Sequence, residues 1–281
     1  MRRLTIITAV SLTLVLAAGM AVATVDLRAQ ARPTWDNDRV LTILIIGSDM
    51  GLPRPGDPKR GRADGLHLLA VDTRRHTATV VNIPRDSLVG GTKVNAHLAS
   101  GGPQRMKSVM SSFTGIDIDY YALTSFRGLR GLVNGMGGVT VELDRPIRDA
   151  AARANIGGGK QKLDGKKALA FTRARKTVPG GDFTRSKHHG DLMLAAHRKI
   201  RAQQSDLPSM VRLLGVFSRN VETDIPNREL LRLASLAVKI HPRDVKQISL
   251  SGPTGFSGGQ SIVHLNAGSA FSDIRQRRIG R

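Results

Sequence analysis

Between Leu41 and Ile83 the chain spells three short apolar runs, each stopped by glycine, proline or charge. LTILIIG (Leu41 to Gly47), LHLLAV (Leu66 to Val71) and TATVVNI (Thr77 to Ile83) are too short for buried helices, and the last is rich in β-branched residues, so all three read as buried strands. This spacing leaves Asp49, Asp64, Arg85 and Asp86 in loops or at strand ends. In open α/β sheets the carboxyl ends of strands are where ligands bind.

Downstream the periodicity changes. Lys93 to Ser100 and Gly102 to Phe113 read as helical, and Ile118 to Leu123 as a strand. Ser125 to Met136 places Phe126, Leu129, Val133 and Met136 at three- and four-residue steps, the stripe of an amphipathic helix. Val139 to Leu143 is a strand, and polar, glycine-rich Arg148 to Lys162 a loop or flap. Helices are expected over Ser186 to Gln203, Leu207 to Arg219 and Asn227 to Ile240, with strands over Lys246 to Leu250 and Ser261 to Leu265. No internal repeat or second linker breaks this order, which predicts one α/β domain over residues 40–281.

The amino terminus predicts a location. Arg2 and Arg3 precede an uncharged, apolar run from Leu4 to Val25, long enough to span a bilayer. The expected organisation is a cytoplasmic tail over 1–3, a transmembrane anchor over 4–25, a linker over 26–39 and an extracytoplasmic domain, that is, a single-pass cell-membrane protein with the arginines inside. Cleavage at the small residues Ala21-Val22-Ala23 is the rival reading. Cysteine is absent, which excludes a disulfide framework, a thiolate zinc site and a cysteine nucleophile. A net charge of +21 calls for an anionic partner. Nucleic acid fits poorly, because aromatics make up only 4% of the chain and base stacking needs them.

The densest charge pattern lies in LDGKKALAFTRARKTVPGGDFTRSKHH, Leu163 to His189. Arg173 and Arg175, two apart, share a direction only on extended backbone. Asp182 and Arg185 lie at helical spacing on the first turn of the segment leading to Ile200, where unpaired N–H groups favour an anion. Guanidinium suits phosphate because it grips two oxygens at once. Two carboxylates such as Asp49 and Asp64, held close, repel unless a cation intervenes; at ~4 Å and an effective dielectric near 20 the interaction is about 4 kcal/mol. Mg2+ takes one or two carboxylates and completes its shell with phosphate oxygens. The competing reading is a set of solvated ion pairs, each contributing roughly 0–1 kcal/mol.

Other motifs do not hold. Gly255-Phe256-Ser257-Gly258-Gly259 matches a nucleophile elbow by letter, but no acid-then-histidine order follows it, and it reads as a glycine turn. Gly157 to Lys160 cannot be completed as a phosphate loop.

Taken together, Ile45-Ile46-Gly47-Ser48-Asp49, Arg62-Ala63-Asp64, Ile83-Pro84-Arg85-Asp86-Ser87, Lys93-Val94-Asn95, Gly101-Gly102 and Gly137-Gly138-Val139 resemble the LytR-CpsA-Psr family of extracytoplasmic enzymes. Leu163, Gly165, Ala168-Leu169, Arg173, Arg175, Asp182 and Arg185 extend the likeness, which covers nearly all of Val40 to Arg201. The resemblance implies a three-layer α/β/α fold around a central mixed sheet. It also implies phosphotransferase-type ligation of a polyprenyl-pyrophosphate-linked glycopolymer to a peptidoglycan sugar hydroxyl, with attack at the anomeric carbon and release of the lipid pyrophosphate. By that similarity Asp49 and Asp64 hold Mg2+, and Arg62, Arg85, Arg173, Arg175, Arg185 and His189 bind pyrophosphate. Arg85, Asp182 and Arg185 are then the catalytic set, with Asp182 as base or orienter. A lipid pyrophosphatase and a non-catalytic binder of anionic polymers are the alternatives. His188-His189 stands where the family usually has Arg-Gln, exchanging a bidentate grip for pH dependence.

Overall fold

In the computed structural model the described residues are 40–50, 61–176, 178–202 and 207–280. Three antiparallel strands come first: β1 (Val40–Ser48), β2 (Ala63–Asp72) and β3 (Thr77–Asn82). A small ribbon of β4 (Leu88–Val89) and β5 (Thr92–Lys93) leads into α1 (Ala96–Thr114), and β6 (Tyr120–Ser125) returns parallel to β1. Gly102, with φ of 71°, interrupts α1, matching the two helical stretches expected there. Helix α2 (Phe126–Gly135) precedes two ribbons, β7 (Val139–Leu143) with β10 (Gly159–Leu163) and β8 (Ile147–Asp149) with β9 (Ala154–Ile156). Helices α3 (Gly165–Arg173), α4 (Asp182–Ala202) and α5 (Leu207–Asn220) follow, then edge strand β11 (Val221–Thr223), α6 (Asn227–Lys239) and β12 (Val245–Ser249). A hairpin of β13 (Thr254–Ser257) and β14 (Gln260–Val263) and a short helix α7 (Ala270–Arg275) complete the order.

The central sheet runs β11-β6-β1-β2-β3-β12. It is mixed, because β1 lies parallel to β6 but antiparallel to β2, and β12 is parallel to β3. Alternation along β1 shows how both faces are covered. Leu44 and Ile46 join a buried cluster with Leu98, Met106 and Met110 of α1. Ile43 and Ile45 point the other way, toward Leu213 and Phe217 of α5 and Leu230 and Leu233 of α6. The result is an α/β fold with helices flanking a mixed sheet.

A second cluster, off the sheet, joins Val133 of α2, Val139 of β7, Leu163 of β10, Phe171 of α3 and Leu192 of α4. Phe171 is fully buried and stacks on His188, ring centroids 4.3 Å apart. This cluster fixes where α3 ends and α4 begins, which is the corner the charged groups share.

Three expectations need correction. The segment Arg148 to Lys162 is not a loop: it carries most of β8, all of β9 and most of β10. Its strands alternate inward Ile147, Asp149, Ala154 and Ile156 with outward polar residues, too briefly to stand out among glycines. Second, no helix among the described residues is long and apolar enough to cross a membrane, so the expected single-pass cell-membrane placement finds no spanning helix here. The run Leu4 to Val25 that prompted it, the 1–3 tail and the 26–39 linker lie outside the described residues. The strand expected over Ser261 to Leu265 is shifted to Gln260–Val263 and pairs in a hairpin rather than in the central sheet.

Candidate active site

Four segments bring charge to one corner. The pairing of β1 with β2 shifts between Gly47 and Ser48, and Asp64 sits at that irregularity. Pro84 ends the segment after β3, and the turn behind it is pinned: Ser87 donates to the Pro84 carbonyl, and the Asn95 amide donates to the Arg85 carbonyl at 3.2 Å. Arg175 follows α3 by two residues. Gly180 and Gly181, with φ of 79° and 52°, reverse the chain in a conformation that residues with a Cβ rarely adopt, so that α4 starts at Asp182 beside Arg175.

Within this corner the Nη1 of Arg85 donates to Oδ1 of Asp64, and the Nη1 of Arg185 lies 3.9 Å from the same oxygen. Arg185 reaches Asp182 at 3.5 Å through its Nη2, Arg175 reaches it at 3.5 Å, and the Nε of Arg85 lies 3.9 Å away. Asp86 extends the network, 3.8 Å from Arg85 and 3.2 Å from Lys93. Arg185 is only 6% exposed. The Nε atoms of both Arg85 and Arg185 are buried without a hydrogen-bond partner. A buried guanidinium N–H without a hydrogen bond costs free energy unless an acceptor meets it; Asp86 and Asp182 lie 3.8 and 3.9 Å from the Arg85 Nε, within ion-pair range but beyond hydrogen-bond reach.

Protonation follows from this crowding. Burial works against the Arg85 charge, yet Asp64, Asp86 and Asp182 outweigh it and hold its pKa above the ordinary value. Arg185 goes the other way: burial, with Arg85 and Arg175 nearby, lowers its pKa although Asp182 and Asp64 oppose this. Burial would raise Asp182, but Arg185, a hydrogen bond with Asp86, Arg85 and Arg175 together hold it below the usual carboxylate range. Asp182 is therefore an anion across the neutral pH range, able to orient or accept a proton from a hydroxyl.

Beside this corner a cavity of about 90 Å³ opens between sheet and helices. Asp64, Ser48, His67, Arg173 and His189 line it, and Ile45, Phe126, Leu129, Leu192 and Met193 make it greasy. Ile45 also walls a second, almost wholly apolar cavity of about 250 Å³, with Ile200, Leu213, Phe217 and Leu233. Polar and apolar chemistry thus meet along the length of α4. The Nε2 of His189 donates to the Thr172 carbonyl at 2.7 Å, and its ring lies 5.5 Å from that of His67. Burial, then His67 and Arg185, push His189 well below the usual imidazole value. Burial takes His67 to about 4, although its hydrogen bond to Asn82 resists.

The expected residues divide into three groups. Asp64, Arg85, Arg175, Asp182 and Arg185 form one ion-paired network. Arg173 and His189 line the adjoining cavity; Arg173 lies over the Phe126 ring, 5.0 Å from its centroid, rather than beside Arg175, because α3 ends between them. Asp49 and Arg62 meet only each other's backbone region, the Arg62 amide donating to Oδ1 of Asp49 at 2.8 Å, and the exposed Arg62 side chain makes no ion pair among the described residues.

Two further residues matter. Lys93 neutralises Asp86. Buried Asp149 accepts the amides of Arg175 and Lys176 at 2.9 and 2.8 Å and that of Ala152 at 3.1 Å. Burial would raise its pKa, but these backbone bonds lower it. Asp86 was placed at a strand end by the apolar pattern, whereas Lys93 entered only through the resemblance. Nothing in the local pattern marks Asp149, whose partners Arg175 and Lys176 lie 26 and 27 residues away.

Comparison with known proteins gives the chain a family. The chain matches the LytR_cpsA_psr family over residues 12–276. It is 31% identical over 239 residues to the polyisoprenyl-teichoic acid–peptidoglycan teichoic acid transferase TagU of Bacillus subtilis, covering 83% of this chain and 75% of that protein. TagV of the same organism, which carries the same transferase name, is 27% identical over 220 residues, 74% of this chain but only 56% of its own length. The crystal structure of B. subtilis TagV superimposes with a TM-score of 0.74 at 24% identity, over 86% of this chain and 96% of that one, which shows a shared fold.

Proposed function

The chain belongs to the LytR-CpsA-Psr family, and from that premise we propose that it is a transferase that ligates a polyprenyl-pyrophosphate-linked glycopolymer to a sugar hydroxyl of peptidoglycan. The observation that carries this reading is the gathering of Arg85, Arg175 and Arg185 around Asp64 and Asp182, beside an apolar cavity that Asp64 helps to line. Two forks aimed at one corner suit a diphosphate, and the cavities beyond Asp64 suit the hydrocarbon attached to it. The names of the Bacillus relatives make a teichoic acid the first donor to try.

In this reading Arg85, Arg185 and Arg175 hold the diphosphate, with Arg173 at the cavity mouth. Their charge stabilises what develops on the phosphate oxygens as the bond to the lipid side breaks. Asp182 orients the acceptor hydroxyl and takes its proton. His189, kept neutral, and the Ser48 hydroxyl line the passage without adding charge to it.

The chemistry of the donor set fits Mg2+. Asp64 meets both arginines through Oδ1, and Asp49 meets the Arg62 amide through Oδ1, so each keeps a second hard oxygen. Among the described residues no three acidic or histidine side chains gather as a metal site, so an Mg2+ ion held here would depend on phosphate oxygens for the rest of its shell. Held by Asp49 and Asp64, Mg2+ would neutralise part of the diphosphate charge.

Purified full-length chain, lipid-linked teichoic acid and peptidoglycan give the test. Polymer should appear on peptidoglycan and a lipid product be released, with Arg85→Ala inactive and still folded. The mass of that product names the broken bond: lipid pyrophosphate for attack at the anomeric carbon, lipid monophosphate for attack at phosphorus. Lipid release without attached polymer would replace the transferase by a hydrolase, and full transfer by Arg85→Ala would reject the site.

A further inference from the structure

Gly255-Phe256-Ser257-Gly258-Gly259, rejected above as a nucleophile elbow, is built as a hairpin. Gly258 and Gly259 take φ of 56° and 73°, the paired left-handed turn whose twist matches its flanking strands. The other end is tied to the catalytic segment. The Val263 amide donates to the Asp86 carbonyl at 2.9 Å, and Ser87 bridges Val263 in parallel. The hairpin therefore rises from the residues next to Arg85.

Phe256 stands opposite Ser261, two residues outward from Val263, which is about 7 Å along the strand. It is 82% exposed, the most exposed large apolar side chain among the described residues. A ring this exposed at a hairpin tip adds little to the core, and covering it would be favourable.

Charge indicates what that is. From Gln247 to Ser272 the chain has no Asp, Glu, Lys or Arg, although 23% of all residues are charged and the net charge is +21. A site for a polyanion would place cations here. Instead Phe256 is surrounded in sequence by Thr254, Ser257, Gln260 and Ser261, neutral donors and acceptors. By strand alternation Thr254 and Ser261 share the Phe256 face, while Ser257 and Gln260 take the other, and an aromatic face bordered by hydroxyl groups matches a sugar ring, whose C–H face is apolar and whose rim is hydroxylated.

We propose that the β13–β14 hairpin is a saccharide platform, on which Phe256 stacks against an uncharged pyranose ring and holds a glycan beside Arg85. Identifying that glycan as the acceptor rests on the transferase reading; the contact itself does not.

The test is binding of chitotetraose to the full-length chain, followed by NMR without any lipid donor. Phe256→Ala should weaken binding about tenfold with an unchanged melting temperature, whereas Phe256→Trp should retain it and report contact by fluorescence. Arg85→Ala should bind the saccharide normally. Equal affinity in Phe256→Ala and the parent chain overturns the platform, as does a variant that loses only its hold on phosphatidylcholine vesicles. If saccharide binding depends on Phe256 but the parent chain transfers nothing, the transferase reading falls and the platform stands. If transfer occurs and Phe256→Ala binds saccharide unchanged, the reverse holds.

Discussion

Gly65 makes room for His189. A Cβ at Gly65 would lie 2.3 Å from Nδ1 of the His189 ring and 2.8 Å from Cε1. The absence of a side chain on β2 is what lets that imidazole lie over the sheet between the arginine network and the greasy cavity. Gly65→Ala should force the ring outward, break its bond to Thr172 and destabilise the fold by about 1–3 kcal/mol, as overpacking does. Urea unfolding at neutral pH measures it; an unchanged midpoint would show that the ring relocates freely.

Arg85→Lys distinguishes charge from fork. Lysine restores one positive charge near Asp64 but cannot grip two oxygens. Losing an aimed donor costs roughly 10²–10³ in rate, so Arg85→Ala should fall by at least that much and Arg85→Lys by somewhat less. Transfer rates at saturating donor read the difference.

Asp149 should act through Arg175. In Asp149→Ala no oxygen is left to accept the amides of Arg175, Lys176 and Ala152, so the loop before α4 shifts while every charged group of the network remains. Because misplacement by about 1 Å can cost up to 10² in rate, a drop near tenfold in kcat/KM is expected, carried mainly by KM for the donor. A purely structural role would lower the melting temperature and leave kinetics of the folded fraction intact.

Acid should destabilise the protein before its carboxylates titrate. His67 has a folded pKa of about 4 against 6.5 unfolded, and His189 is also depressed. Below 6.5 the unfolded chain takes up protons that the folded chain refuses, so stability is full above that pH and falls toward 4. One group can contribute at most about 1.4 kcal/mol per pH unit in that window. His189→Gln removes one titrating group, so its stability should decline less between pH 7 and pH 5; parallel curves for the two chains would show that His189 titrates alike in the folded and unfolded states.

The sequence carried some of this plainly and some not at all. Asp182 and Arg185 were readable as neighbours because helical spacing alone makes them so, and Arg85 because a Pro after a β-branched run ends a strand. Arg173 and Arg175 were harder: two residues apart, they diverge because α3 ends between them, and that end is set by packing of Phe171 in a distant cluster. Short ribbons between Arg148 and Lys162 hid among glycines, and Asp149 with them. β8 and β9 pair locally but are too short for a period to show, and β10 takes its order from β7, outside the segment.

Helix α4 carries Asp182 and Arg185 on its first turn and Leu192, Met193 and Ile200 farther along against the two cavities. At 1.5 Å per residue, its 21 residues make a rod of roughly 30 Å with a charged tip and an oily flank. An amphiphile seated along it would be gauged at head and tail by one stiff lever, so a tail too bulky for the far hollow would tilt the tip and spoil alignment at the phosphate end.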